Sequence, residues 1–148
     1  MSWRLDEVLE LHQQGRVQAA LALVDQHLAE QPDEAPLWLQ KGRILEATGH
    51  DAEALAAYLN ARNLDPSSLE AWTDHAFLTG RLDPARGIDV FVELLQHFPR
   101  NPTAWANLAT LHDRAGDPFA AEAAYRIALT HESHPGELDA VRRRLGLL

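Results

Sequence analysis

The sequence predicts an all-α chain assembled from repeated helix–turn–helix units, and three observations carry that prediction. Trp38, Trp72 and Trp105 recur at spacings of 34 and 33 residues. Pro32, Pro66 and Pro99 keep the same two spacings. Small and turn-forming residues return at fixed offsets between them. From Trp38 come Gly42, Gly49, Ala54, Tyr58, Ala61 and Pro66, and from Trp105 come Ala109, Gly116, Ala121, Tyr125 and Ala128. A period of this length marks one supersecondary unit stacked on itself. The series from Trp72 (Ala76, Gly87, Phe91, Leu94, Pro99) is one position shorter, and the first unit keeps only Gly15, Ala20, Val24 and Pro32.

Helices are expected over 2–14, 17–30, 35–48, 51–64, 69–80, 84–97, 102–115 and 118–131, with a last one at 136–145. Gly49 and Gly116 fall where a helix C-terminus favours a left-handed residue. Asp51, Asp83 and Asp117 come next and read as N-caps of the second helix of each pair. Pro84 and Pro118 follow two of them at the first helical position, where a missing N–H costs nothing. Pro32, Pro66 and Pro99 then end the second helices, because proline cannot donate to the helical ladder. Gly42, Ala76 and Ala109 are small enough for two helices to approach, while Trp38 and Tyr58 fill the space beside them. In the last helix Leu138, Val141 and Leu145 share one face, as expected of an element that closes an open stack. Arg142, Arg143 and Arg144 read as its solvated face, their cations suited to a helix C-terminus. No linker interrupts the 148 residues, so one continuous domain is expected.

Composition narrows the function. There is no cysteine, which excludes disulfides, thiolate nucleophiles and cysteine-based zinc sites. The net charge is −9, from 22 acidic and 13 basic residues, so a phosphate backbone would be repelled and nucleic acid is not an expected partner. No run approaches the roughly 20 apolar residues of a membrane span. The opening Met1-Ser2-Trp3-Arg4-Leu5-Asp6-Glu7 lacks the apolar core of a secretory signal, so a cytoplasmic location is expected. Arginine supplies 12 of the 13 basic residues, a bias expected of a GC-rich bacterial genome.

Catalytic signatures are missing. Ser2, Ser67, Ser68 and Ser133 sit in no nucleophile elbow, and the eight glycines form no phosphate-binding loop. His131 and His134 are the closest histidine pair, but two ligands without a third make no metal site. Neither catalytic activity, a metal nor a cofactor is expected. His75 and His112 fall at core positions of the repeat and are expected to be partly buried and hydrogen-bonded.

The 34-residue pattern resembles a tetratricopeptide repeat array, whose signature is Trp-x2-Leu-Gly-x2-Tyr, then Ala-x3-Phe, then Pro. Residues 35–68 and 102–135 match it best, 69–101 well, and 1–34 in part, with 136–145 as a capping helix. Lys41 and His75 replace the leucine, and Leu45, Thr79 and His112 replace the tyrosine. The resemblance implies a right-handed α-solenoid. It also implies a protein-interaction scaffold or adaptor, in which the first helix of each pair lines a concave groove for a peptide segment or partner helix. Small acidic arrays of this kind resemble bacterial assembly or secretion chaperones. The alternative implied is a self-associating module, a homo-oligomer whose groove or ends are filled by a second copy.

Carried onto this chain, the inward positions are Leu5, Asp6, Leu9, His12 and Gln13 in the first repeat, Leu39, Gln40, Arg43 and Glu46 in the second, Glu70, Thr73, Asp74 and Phe77 in the third, and Thr103, Ala106, Asn107, Thr110, Asp113 and Arg114 in the fourth. Chaperone adaptors of the family clamp a C-terminal carboxylate with basic residues and asparagine. Leu5, Leu9, Glu70 and Asp74 stand at those places here, so that clamp is absent. Of the inward asparagine ladder of sugar-nucleotide transferases only Asn107 is present. What is left is a mixed groove, apolar at Leu5, Leu9, Leu39 and Phe77, with Asp6, Glu46, Glu70, Asp74 and Asp113 supplying negative potential against Arg43 and Arg114. Its expected partner is a protein segment with apolar anchors and some positive charge.

Overall fold

The computed structural model describes residues 2–148, and among them every regular element is an α-helix. Nine follow in order: α1 (Trp3–Gln13), α2 (Val17–Glu30), α3 (Ala35–Ala47), α4 (Asp51–Leu64), α5 (Leu69–Leu82), α6 (Pro84–His97), α7 (Pro102–Arg114), α8 (Pro118–Thr130) and α9 (Asp139–Arg144). The chain divides into two compact units, residues 1–75 and 76–148, and the division falls within α5.

In the first unit Val8 of α1, Ala20, Val24 and Leu28 of α2, and Leu37 and Ile44 of α3 form a buried cluster. Partly buried Leu5, Leu11, Leu21 and Trp38 pack around it. The α3–α4 pair is closer still. A Cβ on Gly42 would fall into the ring of Tyr58, which is why glycine stands there. The turns after α1 and α3 reverse through Gly15 and Gly49, whose φ values of 74° and 80° lie in the left-handed region.

In the second unit the cluster is rich in alanine: Ala109, Ala121, Ala124 and Ala128, with Tyr125, and Leu138 and Val141 from the C-terminal segment. Side chains this small let α7 and α8 approach closely. Asp83 accepts from the amides of Ala85 and Arg86, Asn101 from that of Ala104, and Asp117 from that of Ala120. Pro84, Pro102 and Pro118 each open the helix that follows such a cap.

The shared spacing of tryptophan and proline has a geometrical cause. The indole N–H of Trp38 donates to the carbonyl of Pro32 at 2.8 Å, that of Trp72 to Pro66 at 2.9 Å, and that of Trp105 to Pro99 at 2.9 Å. Each tryptophan thus takes a carbonyl of the turn six residues before it and fixes the angle at which the next helix begins. Trp3, one residue off that beat, is 57% exposed.

Four local expectations are corrected. Asp51 is the first residue of α4 and not its cap; His50 precedes it without a side-chain capping bond, and Asp51 places its charge in the first turn. The first helix of the third pair runs on to Leu82, past Gly80. Gly80 is helical, with no positive φ, and the turn shrinks to Asp83 alone, which accounts for the position missing from that repeat. The last helix begins at Asp139 rather than 136, because Gly136 adopts φ 86° and holds the preceding segment in turns. The arginine triplet is not simply solvated. Arg142 binds Glu132 and Asp139, and Arg144 binds Asp113, fastening α9 to its own unit. The Glu132 carboxyl is held below the usual carboxylate range by Arg142 and by the Leu138 amide.

His75 carries a pH dependence. Burial, and then the nearby Arg62 cation, lower its pKa to about 4. Arg62 Nη1 donates to His75 Nδ1 at 3.3 Å, which requires the neutral ring. The unfolded ring titrates near 6.5, so between about pH 6.5 and 4 unfolding takes up a proton, and stability falls as pH falls through that window. After a discount for the part of the ring still in water, the expected loss is about 2 kcal/mol. Urea midpoints from pH 7 to 4.5 should therefore drop more steeply for the wild type than for His75→Gln. Parallel curves would remove His75 as the cause.

Candidate functional site

The first unit holds a cleft of about 320 Å³ lined by some of the expected groove residues, whereas Asp6, His12, Glu46 and Asp74 are not among its lining. α1 contributes Leu5 and Leu9, and α3 contributes Ala35, Pro36, Leu39, Gln40 and Arg43. Glu70 and Ala71 come from the start of α5, with Ala61, Asp65 and Ser68 from the end of α4 and the turn after it. Leu5, Leu9, Leu39, Gln40, Arg43 and Glu70 were expected from the sequence. Ala61, Asp65 and Ser68 were not, because they come from a second helix and an inter-repeat turn rather than from a first helix, and Ala71, on the first helix α5, was not named either.

The local order that builds this part of the lining is readable residue by residue. Asp65 Oδ1 accepts from the Ser67 amide at 3.2 Å and from the Ser67 hydroxyl at 2.6 Å, closing the turn after Leu64. Ser68 Oγ accepts from the Ala71 amide at 3.2 Å and caps the start of α5. Elsewhere in the lining Gln40, only 5% exposed, bonds His12 through its Nε2 to Nδ1 at 3.0 Å, tying α3 to α1.

Charge in the cleft is arranged around Arg43. Its Nε donates to Asp74 at 2.7 Å and its Nη2 to Glu70 at 3.2 Å. Burial works against the guanidinium's charge, but Asp74 and Glu70 more than offset this and keep its pKa raised. Burial pushes the Asp74 carboxyl up, against the opposing pull of Arg43. Asp74 is therefore a half-buried support for Arg43, whereas the Glu70 side chain is 71% exposed. Glu46, also expected in the groove, accepts a 2.6 Å hydrogen bond from the Tyr58 hydroxyl. Burial and this acceptor both push the Tyr58 phenol up.

The expected residues of the second unit are dispersed. Phe77 is 48% exposed and stands edge-on to buried Phe91 at 5.7 Å between ring centroids. Arg114 donates to the carbonyl of Gly80 at 3.4 Å. Asp113, its neighbour in sequence, turns the other way: both its oxygens take the guanidinium of Arg144, at 2.7 and 3.0 Å, and it also accepts from the Tyr125 hydroxyl at 3.3 Å. Asn107 buries its amide nitrogen without a hydrogen-bond partner among the described residues. A separate cleft of about 520 Å³ lies along the turns at Phe98–Thr103 and Ser133–Glu137, and His134 lines it. Among the described residues no three histidine or acidic side chains converge as a metal site would require. No helix of the described residues is long and apolar enough to cross a membrane.

Two family models, both of the tetratricopeptide repeat, match the chain, over residues 35–78 and 80–137. No curated protein sequence matches it. Among solved structures the chain is similar to a crystal structure of MamA protein, with a TM-score of 0.79, 19% identity, and coverage of 97% of this chain and 81% of that one. It is also similar to MamA from Desulfovibrio magneticus RS-1, with a TM-score of 0.76, 14% identity and coverage of 99% and 88%. A third similar structure is TTC0263, a thermophilic tetratricopeptide repeat protein of Thermus thermophilus, with a TM-score of 0.69, 19% identity and coverage of 97% and 82%. At these identities the likeness concerns the fold, which is all-helical and of the α-solenoid class.

Proposed function

Because this chain belongs to the tetratricopeptide repeat family across residues 35–137, we propose that it is a non-enzymatic adaptor that holds a segment of another protein against the first helices of its repeats. A protein-interaction scaffold is what the family fold supplies in general. The observation that carries the narrower reading is the cleft of the first unit, lined by Leu5, Leu9 and Leu39 together with Arg43 and Glu70. Exposed Phe77 offers a further apolar anchor on the second unit. Apolar contacts there supply affinity, and the surrounding acids discriminate the sign of the partner's charge.

The test is a pull-down from lysate of the source organism with the wild type and a Leu9→Ser/Phe77→Ala variant, bound proteins being identified by mass spectrometry. Asp74 is left intact because replacing it would strand Arg43 and confuse folding with binding. A partner held by the wild type and lost by a variant of unchanged helicity and melting is the expected result. Equal capture by both would move the interface away from these helices. Capture of the chain itself alone, with a monomer–dimer equilibrium on dilution, would replace the adaptor by self-association.

A further inference from the structure

The charge of the chain is distributed unevenly. Residues 1–75 carry 13 Asp and Glu against 5 Lys and Arg, a formal −8, whereas residues 76–148 carry 9 against 8, a formal −1. The cleft of about 320 Å³ belongs to the acidic unit. Its lining joins the aliphatic side chains of Leu5, Leu9 and Leu39 to two acids, Asp65 and Glu70, against the single cation Arg43 among the described residues.

We propose that this cleft receives a long basic side chain, arginine or lysine, from an extended segment of a partner protein. The aliphatic stem lies along Leu5, Leu9 and Leu39, and the cation meets Asp65 and Glu70. This rests on the groove reading above and names what the groove selects. Long cationic side chains bury their stems on apolar surface and keep the charged head at a polar rim, and the lining supplies both aliphatic and acidic groups. Asp65 is already fixed by two bonds from Ser67, so it is positioned before a ligand arrives. Glu70 is more open than Asp74, the other acid that holds Arg43.

An acidic ligand is disfavoured by the same geometry. Arg43 is the one cation on the cleft wall among the described residues, and Asp74 and Glu70 already hold it at 2.7 and 3.2 Å. A ligand carboxylate would have to displace both while entering a unit of charge −8. The chain also shows what a carboxylate on the first helix of a repeat holds when a partner is at hand. Asp113 of α7 grips the guanidinium of Arg144 at 2.7 and 3.0 Å, and that guanidinium stands 5.8 Å from the centre of the Tyr125 ring.

The experiment uses the full chain and three synthetic octapeptides that differ at one position, arginine, citrulline or glutamate, flanked by leucines. Calorimetry gives affinities, and amide chemical shifts locate the contact. Citrulline keeps the stem and planar head of arginine but removes the charge. The arginine peptide is expected to bind at least about tenfold more tightly than the citrulline peptide, with shifts concentrated at Leu5, Leu9, Leu39 and Glu70. The advantage should shrink as salt rises. In an Asp65→Asn/Glu70→Gln variant, nearly isosteric and checked for unchanged melting, it should vanish while citrulline binding stays as it was. Equal affinities, no binding, shifts elsewhere, or an arginine preference that survives the variant would each overturn the proposal. If the protein captured from lysate is lost by Leu9→Ser/Phe77→Ala yet is indifferent to Asp65→Asn/Glu70→Gln, the basic-ligand reading falls and the groove reading stands.

Discussion

Replacing Gly87 by alanine is expected to destabilise the second unit by about 3 kcal/mol, the upper part of the range for overpacking a tight core. Gly87 opens onto the backbone of α5. A Cβ placed there would fall on the Cα of Gly80, 2.8 Å from the Gly80 amide nitrogen and 2.9 Å from Cδ1 of Leu111. A side chain can rotate away, but a helix backbone cannot. α5 and α6 would have to separate, and the single residue between them, Asp83, already spends its carboxylate capping α6. Separation would also loosen the Phe77–Phe91 contact between the same two helices. The sign makes this prediction discriminating. In an exposed helix interior, glycine to alanine gains about 1 kcal/mol from propensity alone. Denaturant unfolding that shows a lowered midpoint at constant slope supports the close approach. A stabilised variant would mean that α5 and α6 do not meet there. Gly42→Ala provides the milder comparison, because its new methyl meets the ring of Tyr58 rather than a backbone.

The Gly80–Gly87 contact also shows how far the sequence could be read. The third repeat is visibly one residue short, and Gly80 looked like the end of a helix because glycine usually ends one. Two glycines seven residues apart can instead serve a backbone contact, and only the packing of α6 on α5 separates the two roles. Helices with their own local signals were legible almost to the residue: Asp83-Pro84 and Asp117-Pro118 specify a cap and a first turn within two positions. The six-residue interval between Pro66 and Trp72 was present in the sequence as well, and its repetition at Pro32–Trp38 and Pro99–Trp105 could have signalled the indole–carbonyl bond.

The lining of the first unit's cleft was partly legible in the sequence, and the pairing between distant elements was not. Leu5, Leu9 and Leu39, which the family resemblance named, line the cleft, and they recur on one face of their helices as helical periodicity allows. The same resemblance named Asp74 and Asp113, yet each is claimed by an arginine 31 residues away in the chain, Arg43 in one case and Arg144 in the other. Sequence spacing cannot tell an acid that greets a partner from one that holds the protein together. That distinction needs the positions of both side chains.

Trp72→Ala should cost about 3–5 kcal/mol, and the three periodic tryptophans should not be equal. The repeat places Trp38, Trp72 and Trp105 at one position, so pattern alone predicts one penalty for all. The structure separates them: Trp72 is 5% exposed, whereas Trp38 and Trp105 are half-buried. The Arg62 guanidinium stands 4.1 Å from the Trp72 ring centre, within cation–π range, and the indole N–H holds the Pro66 carbonyl. Truncation therefore removes a buried ring, a cation's platform and a hydrogen bond together. Trp72→Phe should retain most of the apolar burial and lose about 1 kcal/mol for the missing N–H. Trp38→Ala and Trp105→Ala should each cost about 2 kcal/mol, in proportion to the smaller area they take from water. Trp3→Ala, at the most exposed tryptophan, should cost less than any of these. Denaturant midpoints for the set decide the matter: a ladder in this order makes burial the governing quantity, and equal losses at the three periodic sites would make the shared Trp–Pro bond the governing one.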